Sequence, residues 1–406
     1  EQMKETFFSP ADILLPPYTP DDPAWCKWSV IACDQFTSEK QYWDSVAKIT
    51  EGAPSAYSLI LPEAYLGSEA EEVHKKTIAA SMDTVGTFLK KYENVMVYVE
   101  RTLEGAGVRR GLVGKLDLEK YDYSASSISP VRATEATVLE RIPPRCRIRA
   151  SSPFELPHVM VFADDKGGII SSLASRKNEM KKLYDFDLML GGGHIAGYLV
   201  SGEVLEFVAA SIAKYESSFG GTSPVVYAVG DGNHSLAAAK AHWENVRASG
   251  CPAARYALCE IVDISEPSIE FEPIYRIVKN CNVPDFLSAL EALSGDGEQK
   301  VTALYGGCEK EFSFAAPTHA LTVGTLQNFI DSYIEAHPGA ECDYIHGTDS
   351  LRALSAEKDC VGFIFDGMSK DELFPYVTEH GVLPRKTFSM GDAHSKRYYT
   401  EVRGIV

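Results

Sequence analysis

Apolar and polar positions along the chain alternate in two rhythms, one of period two and one of helical period, and together they predict a mixed α/β protein. Asn94 to Thr102 and Val108 to Leu118 are valine-rich runs parted by a glycine-containing turn, which predicts a hairpin. Before them, Glu69 to Tyr92 carries a helical pattern with Ser68 as its N-cap. The opening, Leu15-Pro16-Pro17-Tyr18 followed by Trp25 and Trp28, predicts an irregular packed arm, because proline removes donors and fixes φ. Arg145 to Ala150 alternates charged and less polar residues, which predicts a strand with Arg145, Arg147 and Arg149 on one face. His158 to Ala163 predicts a further apolar strand, and Glu203 to Ser217 a helix ended by Gly220-Gly221.

The most legible unit follows. Pro224 to Val229 predicts a buried strand, Gly230 to Gly232 a turn, and Ser235 to Val246 an alanine-rich helix. Tyr256 to Ile264 and Ile269 to Val278 predict two more strands. The last third alternates helices (Asp285 to Leu293, Leu326 to Ala336, Lys370 to Glu379) with strands such as Cys360 to Phe365.

Composition narrows the class. At 406 residues, with 45% hydrophobic and 24% charged positions, the chain is globular and long enough for two or three packed units. Its formal charge of -18 repels nucleic acid and anionic lipid, so neither is an expected partner, and an anionic ligand needs a local cationic pocket. Nine cysteines without a Cys-x-x-Cys pair are expected as reduced thiols. With no apolar run near the ~18 residues of a bilayer span and no signal-like opening, the expected location is cytoplasmic.

Candidate chemistry centres on Gly230-Asp231-Gly232-Asn233-His234-Ser235. Two glycines grant backbone freedom, and the following helix presents unpaired N–H groups and a partial positive charge, a geometry that receives phosphate. Asp231 is a candidate magnesium ligand, His234 a donor to a phosphoryl oxygen or a proton shuttle, and Ser235 a further donor. The competing reading is a tight turn in which Asp231 or Asn233 caps the helix and His234 is merely packed. No Gly-x-x-x-x-Gly-Lys-Ser/Thr loop occurs. Gly191-Gly192-Gly193-His194-Ile195-Ala196-Gly197 has the wrong spacing for a dinucleotide loop and reads as a turn. Cys33-Asp34-Gln35 is a candidate substrate-binding turn, with no base to activate the thiol.

Asp231-Gly232-Asn233-His234-Ser235 resembles the Asp-Gly-His-His-Arg turn of the ParB/sulfiredoxin-like superfamily, which includes free serine kinases. Asn233 and Ser235 replace the first His and the Arg. Over most of its length the chain resembles an uncharacterised bacterial family, domain of unknown function ten-fifteen, often encoded beside serine-biosynthesis enzymes. Arg132-Ala133-Thr134-Glu135, Phe271-Glu272-Pro273-Ile274-Tyr275-Arg276 and Leu383-Pro384-Arg385-Lys386-Thr387 carry that likeness with the turn. The resemblance implies a ParB/sulfiredoxin-like core at 121–265 between further α/β segments at 1–120 and 266–406. It also implies that Thr134-Glu135 supplies a catalytic carboxylate, with Glu135 as base. The bland alternative pairs Glu135 with Arg132 or Arg141.

Five arginines between Arg132 and Arg149 supply an anion site by bidentate pairing, with Arg132 and Arg145 favoured for the phosphates and Lys386 added from the family-like tail. The expected function is therefore a phosphotransferase using ATP or ADP with Mg²⁺ on a small hydroxylated metabolite such as free serine. The alternatives are a non-catalytic protein that binds a nucleotide or phosphometabolite, and a metal-dependent phosphatase or hydrolase at Asp231 and His234. A homodimer is left open.

Overall fold

A computed structural model describes residues 5–166 and 168–406. Two compact units emerge, one of Glu1–Ile269, Phe374–Val382 and Asp392–Val406, the other of Glu270–Leu373 and Leu383–Gly391. The chain is mixed α/β, and segments 1–120 and 121–265 contribute strands to one sheet.

That sheet has eleven strands: nine run in the order Lys181–Asp187, His194–Val200, Lys90–Leu103, Gly107–Asp117, Tyr256–Asp263, Met160–Ala163, Tyr227–Asp231, Val131–Ala133 and Tyr121–Asp122, while Phe8–Ser9 pairs with Gly107–Asp117 and Ala11–Leu15 with Lys90–Leu103. Pairing is antiparallel except between Tyr256–Asp263 and Met160–Ala163 and among the last three strands, where Val131–Ala133 runs parallel to both neighbours. The expected hairpin joins Val97 to Val113 and Leu103 to Gly107. Val97 and Val99 enter one apolar cluster, while Met96 and Tyr98 enter another across the sheet. Apolar cover on both faces explains why this strand reads as a continuous apolar run rather than an alternating one.

Three local readings are corrected. The arm begins as strand, because Ala11, Ile13 and Leu15 are buried while Asp12 is exposed, so Ala11–Leu15 pairs with Lys90–Leu103 before the prolines intervene. The arginine-rich run is the helix Ile142–Ala150 rather than a strand. Pro143 and Pro144 occupy its first turn, where their fixed φ and missing N–H groups suit a helix start. Ser68 does precede the helix Glu69–Phe88, but its hydroxyl donates to Tyr65 O instead of capping.

The second unit holds an antiparallel sheet in the order Cys308–Ser313, Lys300–Tyr305, Val361–Ile364, Glu272–Lys279 and Glu341–His346, with Phe388–Ser389 added to Glu272–Lys279. Helices Val283–Glu291 and Thr322–Ala336 bury Phe286, Leu290, Leu326 and Ile330 in its core. All nine cysteines are free thiols.

Candidate active site

The run from Val225 to Val229 is wholly buried, and its strand Tyr227–Asp231 lies third from the end of the large sheet, where the strands become parallel. Ligands of α/β sheets gather at the C-terminal ends of such strands. Here the chain turns sharply into the helix Asn233–Val246. A Cβ at Gly230 would meet the Phe162 ring at 2.6 Å. Gly232 is the helix N-cap at φ +80°, and a Cβ there would lie 2.9 Å from Val159 Cγ2. The turn is thus pressed against the neighbouring strand in a conformation only glycine adopts cheaply.

No side chain caps this helix; Asp231 Oδ1 accepts only the Gly232 N–H, at 3.0 Å. The capping expected of Asp231 or Asn233 is therefore absent, and first-turn N–H groups, which have no intrahelical partner, are available to an anion at the positive end of the helix dipole. Asn233 is 6% exposed and its Oδ1 has no hydrogen-bond partner among the described residues. The buried Thr137 Oγ1 is likewise unpartnered.

One flank of the turn is the strand Val131–Ala133, in register with Tyr227 to Val229. Thr134 Oγ1 donates to Val229 O at 2.7 Å. The pairing ends at Ala133, the chain bends at Thr134, and Glu135 follows with its side chain exposed. Val138 N–H then donates to His234 Nε2 at 3.2 Å, which fixes that nitrogen as an acceptor and leaves the ring proton on Nδ1. Burial, with repulsion from Arg141 and Arg145, pushes the His234 pKa down to about 4, although Asp34 opposes the shift. The imidazole is neutral at physiological pH.

The other flank is the strand Met160–Ala163, preceded by His158. Ser235 Oγ lies 2.7 Å from His158 Nε2, and His158 Nδ1 lies 2.8 Å from the Tyr399 hydroxyl, which also accepts the Cys33 N–H. Tyr399 arrives because Tyr398–Tyr399 pairs with Val30–Ile31. The same pairing places Asp34 here. Burial alone would raise the Asp34 pKa, but His158, the Gln35 amide, Lys396 and Arg145 together hold it below the ordinary carboxylate value.

Cations ring the turn. Lys396 Nζ is 3.5 Å from Asp231 Oδ2, and Arg145 and Arg141 pair with Glu63. The loop carrying Lys396 is fastened from below by two buried guanidiniums: Arg101 donates to His394 O at 2.6 Å and Arg109 to Ser395 O at 2.9 Å. Helical geometry puts Arg145, Ile148 and Arg149 on one face, while Arg147 is exposed.

Asp231, Asn233, His234, Ser235 and Arg145 thus gather at one sheet end, with Glu135 on the exposed segment that follows Thr134 at its flank. Arg132 does not join them as a phosphate ligand: it is buried and donates through Nε to Ser129 O and through Nη2 to Ser223 O. Lys386 belongs to the second unit, at φ +52°, with its ammonium 4.7 Å above the Tyr344 ring. His194 is held between Asp185 and Asp187. Sequence reasoning missed His158, Tyr399, Lys396 and Glu63. The one available signal was the dense charged and aromatic tail from Lys396 to Arg403.

Among the described residues no group of three or more His, Cys, Asp or Glu gathers to cage a metal. Magnesium needs no such cage, since one or two carboxylates with phosphate oxygens and water complete its octahedron. Asp231, beside the helix N-terminus, fits that limited demand.

A family model described as "Protein of unknown function (DUF1015)" matches residues 17–341. Solved structures with some likeness include a free serine kinase in complex with AMP, at 13% identity and TM-score 0.38, covering 70% of this chain and 90% of that one. A conserved hypothetical protein from Pyrococcus furiosus matches at 14% identity and TM-score 0.34, again over 70% and 90%. C-terminally truncated SbnI from Staphylococcus aureus matches at 11% identity and TM-score 0.35, over 69% and 83%. No curated protein sequence matches the chain.

Proposed function

The chain belongs to the DUF1015 family, and from that premise we propose that it is a nucleotide-dependent phosphotransferase acting on a small hydroxylated metabolite. The observation that carries this reading is the uncapped N-terminus of the helix Asn233–Val246, at whose flank Thr134, one residue before Glu135, is hydrogen-bonded to Val229 O of the strand leading into the turn. Phosphoryl transfer needs little covalent chemistry from a protein. It needs donors and cations around the transferring group, and a carboxylate to orient and deprotonate the attacking hydroxyl.

In this assignment the donor's phosphates accept the N–H groups of Asn233, His234 and Ser235. Lys396 and Arg145 supply the charge that the Asp-Gly-His-His-Arg motif draws from its arginine, and their present partners Asp231 and Glu63 keep that charge tethered in place. His234 donates from Nδ1 to a phosphoryl oxygen, as a neutral imidazole. Asp231 would hold magnesium, whose chemistry when bound is to neutralise charge on the phosphate oxygens. Glu135 takes the acceptor's hydroxyl proton as the new O–P bond forms and the bond from phosphorus to the donor's bridging oxygen breaks. Free serine is the first acceptor to test.

Phosphorus NMR of the protein with magnesium, L-serine and ATP or ADP tests this reading through the appearance of O-phosphoserine. Product that persists in Glu135→Gln would remove Glu135 from the mechanism. A second reading, nucleotide binding without turnover, is favoured by Ser235, whose hydroxyl is engaged with His158 where the motif has arginine. Bound but unchanged nucleotide across a panel of hydroxylated acceptors would select it.

A further inference from the structure

Between the turn and the helices Glu69–Phe88 and Ile142–Ala150 the first unit holds an open cavity of about 190 Å³. Its walls are largely aliphatic, with Leu61, Ile78, Met82, Ile148, Leu156 and Ala238 among them. The end nearest the turn is polar, closed by Ser235 and His158. Arg149 also lines it and carries a buried Nε–H with no hydrogen-bond partner among the described residues. At the rim Leu66 is 48% exposed, an apolar side chain left in water at the mouth of an apolar space. Apolar walls with a few convergent polar groups are the ordinary make-up of a small-molecule site.

The sheet says which part of the reaction this cavity serves. Phosphoryl transfer runs roughly in line, so the attacking and leaving oxygens stand on opposite sides of the phosphorus. In the strand order, Val131–Ala133 and Met160–Ala163 flank Tyr227–Asp231 on opposite sides. Glu135 follows the first flank after the bend at Thr134, whereas His158 and the cavity adjoin the second. We propose that the cavity receives the nucleoside of a nucleoside-phosphate donor, its base against the aliphatic walls and its phosphates emerging at Ser235 onto the N-terminus of the helix Asn233–Val246. The acceptor then approaches from the Glu135 side. This inference rests on the phosphotransferase reading, whose phosphate site it extends.

Calorimetric titration of the full chain with ADP and, separately, with inorganic tripolyphosphate separates the two claims. Tripolyphosphate asks only for the phosphate site; ADP asks for both. Ile148→Trp and Ile78→Trp fill the cavity from two different helices, and both positions are partly exposed, so one reads out where the other misfolds, with circular dichroism as the folding check. The expected result is ADP binding weakened by about tenfold or more in either variant, with tripolyphosphate within about twofold of the unsubstituted protein. ADP affinity unchanged in a folded variant overturns the nucleoside assignment and leaves the phosphate site standing. Failure of both ligands to bind the unsubstituted protein overturns both.

Discussion

Replacing Gly232 by alanine tests whether the turn is as tightly fixed as its geometry states. Two costs add at this position. The first is conformational: at φ +80° an alanine Cβ crowds its own backbone, a penalty of roughly 1–2 kcal/mol. The second is steric, because the new Cβ would stand 2.9 Å from Val159 Cγ2 and 3.1 Å from Val159 Cα. The methyl end can yield, but the Cα belongs to the backbone leading into the strand Met160–Ala163, and overpacking of this kind costs about 1–3 kcal/mol. Gly52 supplies the control, since it has φ +71° with nothing within 4 Å of a built Cβ, and so carries only the first cost. Gly232→Ala should therefore destabilise by ~2–5 kcal/mol and Gly52→Ala by ~1–2 kcal/mol. Urea unfolding followed by tryptophan fluorescence reads the relevant unit, because Trp25, Trp28, Trp43 and Trp243 all belong to it. Equal losses for the two variants, within about 0.5 kcal/mol, would refute the claim that the turn is wedged against its neighbour.

Other perturbations probe the flanks. Thr134→Val removes the buried donor to Val229 O and should cost about 1–2 kcal/mol in the same urea experiment; no loss would mean that this bond does not fasten the Glu135 segment. His234, with a folded pKa of about 4 against an unfolded value of ~6.5, takes up protons on unfolding between those values, so its contribution is present above pH 6.5 and is lost as pH falls toward 4. His234→Gln should accordingly show a smaller drop in melting temperature from pH 7.5 to pH 5 than the unsubstituted protein, and parallel drops would contradict the shift. Burial, with the nearby Asp34 carboxylate, pushes the Cys33 thiol up to about 11, whereas Cys308 is exposed. Iodoacetamide at pH 7.5 should alkylate Cys308 well before Cys33, and peptide mass spectrometry showing the reverse order would oppose this. Glu135→Gln should lower turnover by about 10²–10⁴ while leaving ADP affinity unchanged in calorimetry; unaltered turnover would acquit it as base.

How far the site was legible depended on the range of its contacts. The strand, turn and helix from Val225 to Val246 could be read because buried β-branched residues, two glycines and an alanine-rich stretch fall in immediate succession. The arginine run misled for the opposite reason: its alternation satisfies a strand, yet Pro143 and Pro144 just before it fit a helix start better, and that punctuation decides. Ala11 to Leu15 was obscured by the prolines behind it, although its own alternation is that of a half-buried strand. His158 and Tyr399 bond across 241 positions of chain, and no local pattern announces such a meeting. The same holds for Lys396, which reaches Asp231 through a loop clamped by Arg101 and Arg109. Residues of one turn could be named from sequence, while those brought in from distant loops and the C-terminal strand required the fold.

The most direct test of the account is amide NMR of the turn itself. In ¹⁵N-labelled protein titrated with ADP and magnesium, the backbone N–H signals of Asn233, His234 and Ser235 should shift progressively and saturate together, as N–H groups newly bonded to phosphate do. Saturable ADP binding that leaves those three amides unmoved would place the phosphates elsewhere and contradict the central claim.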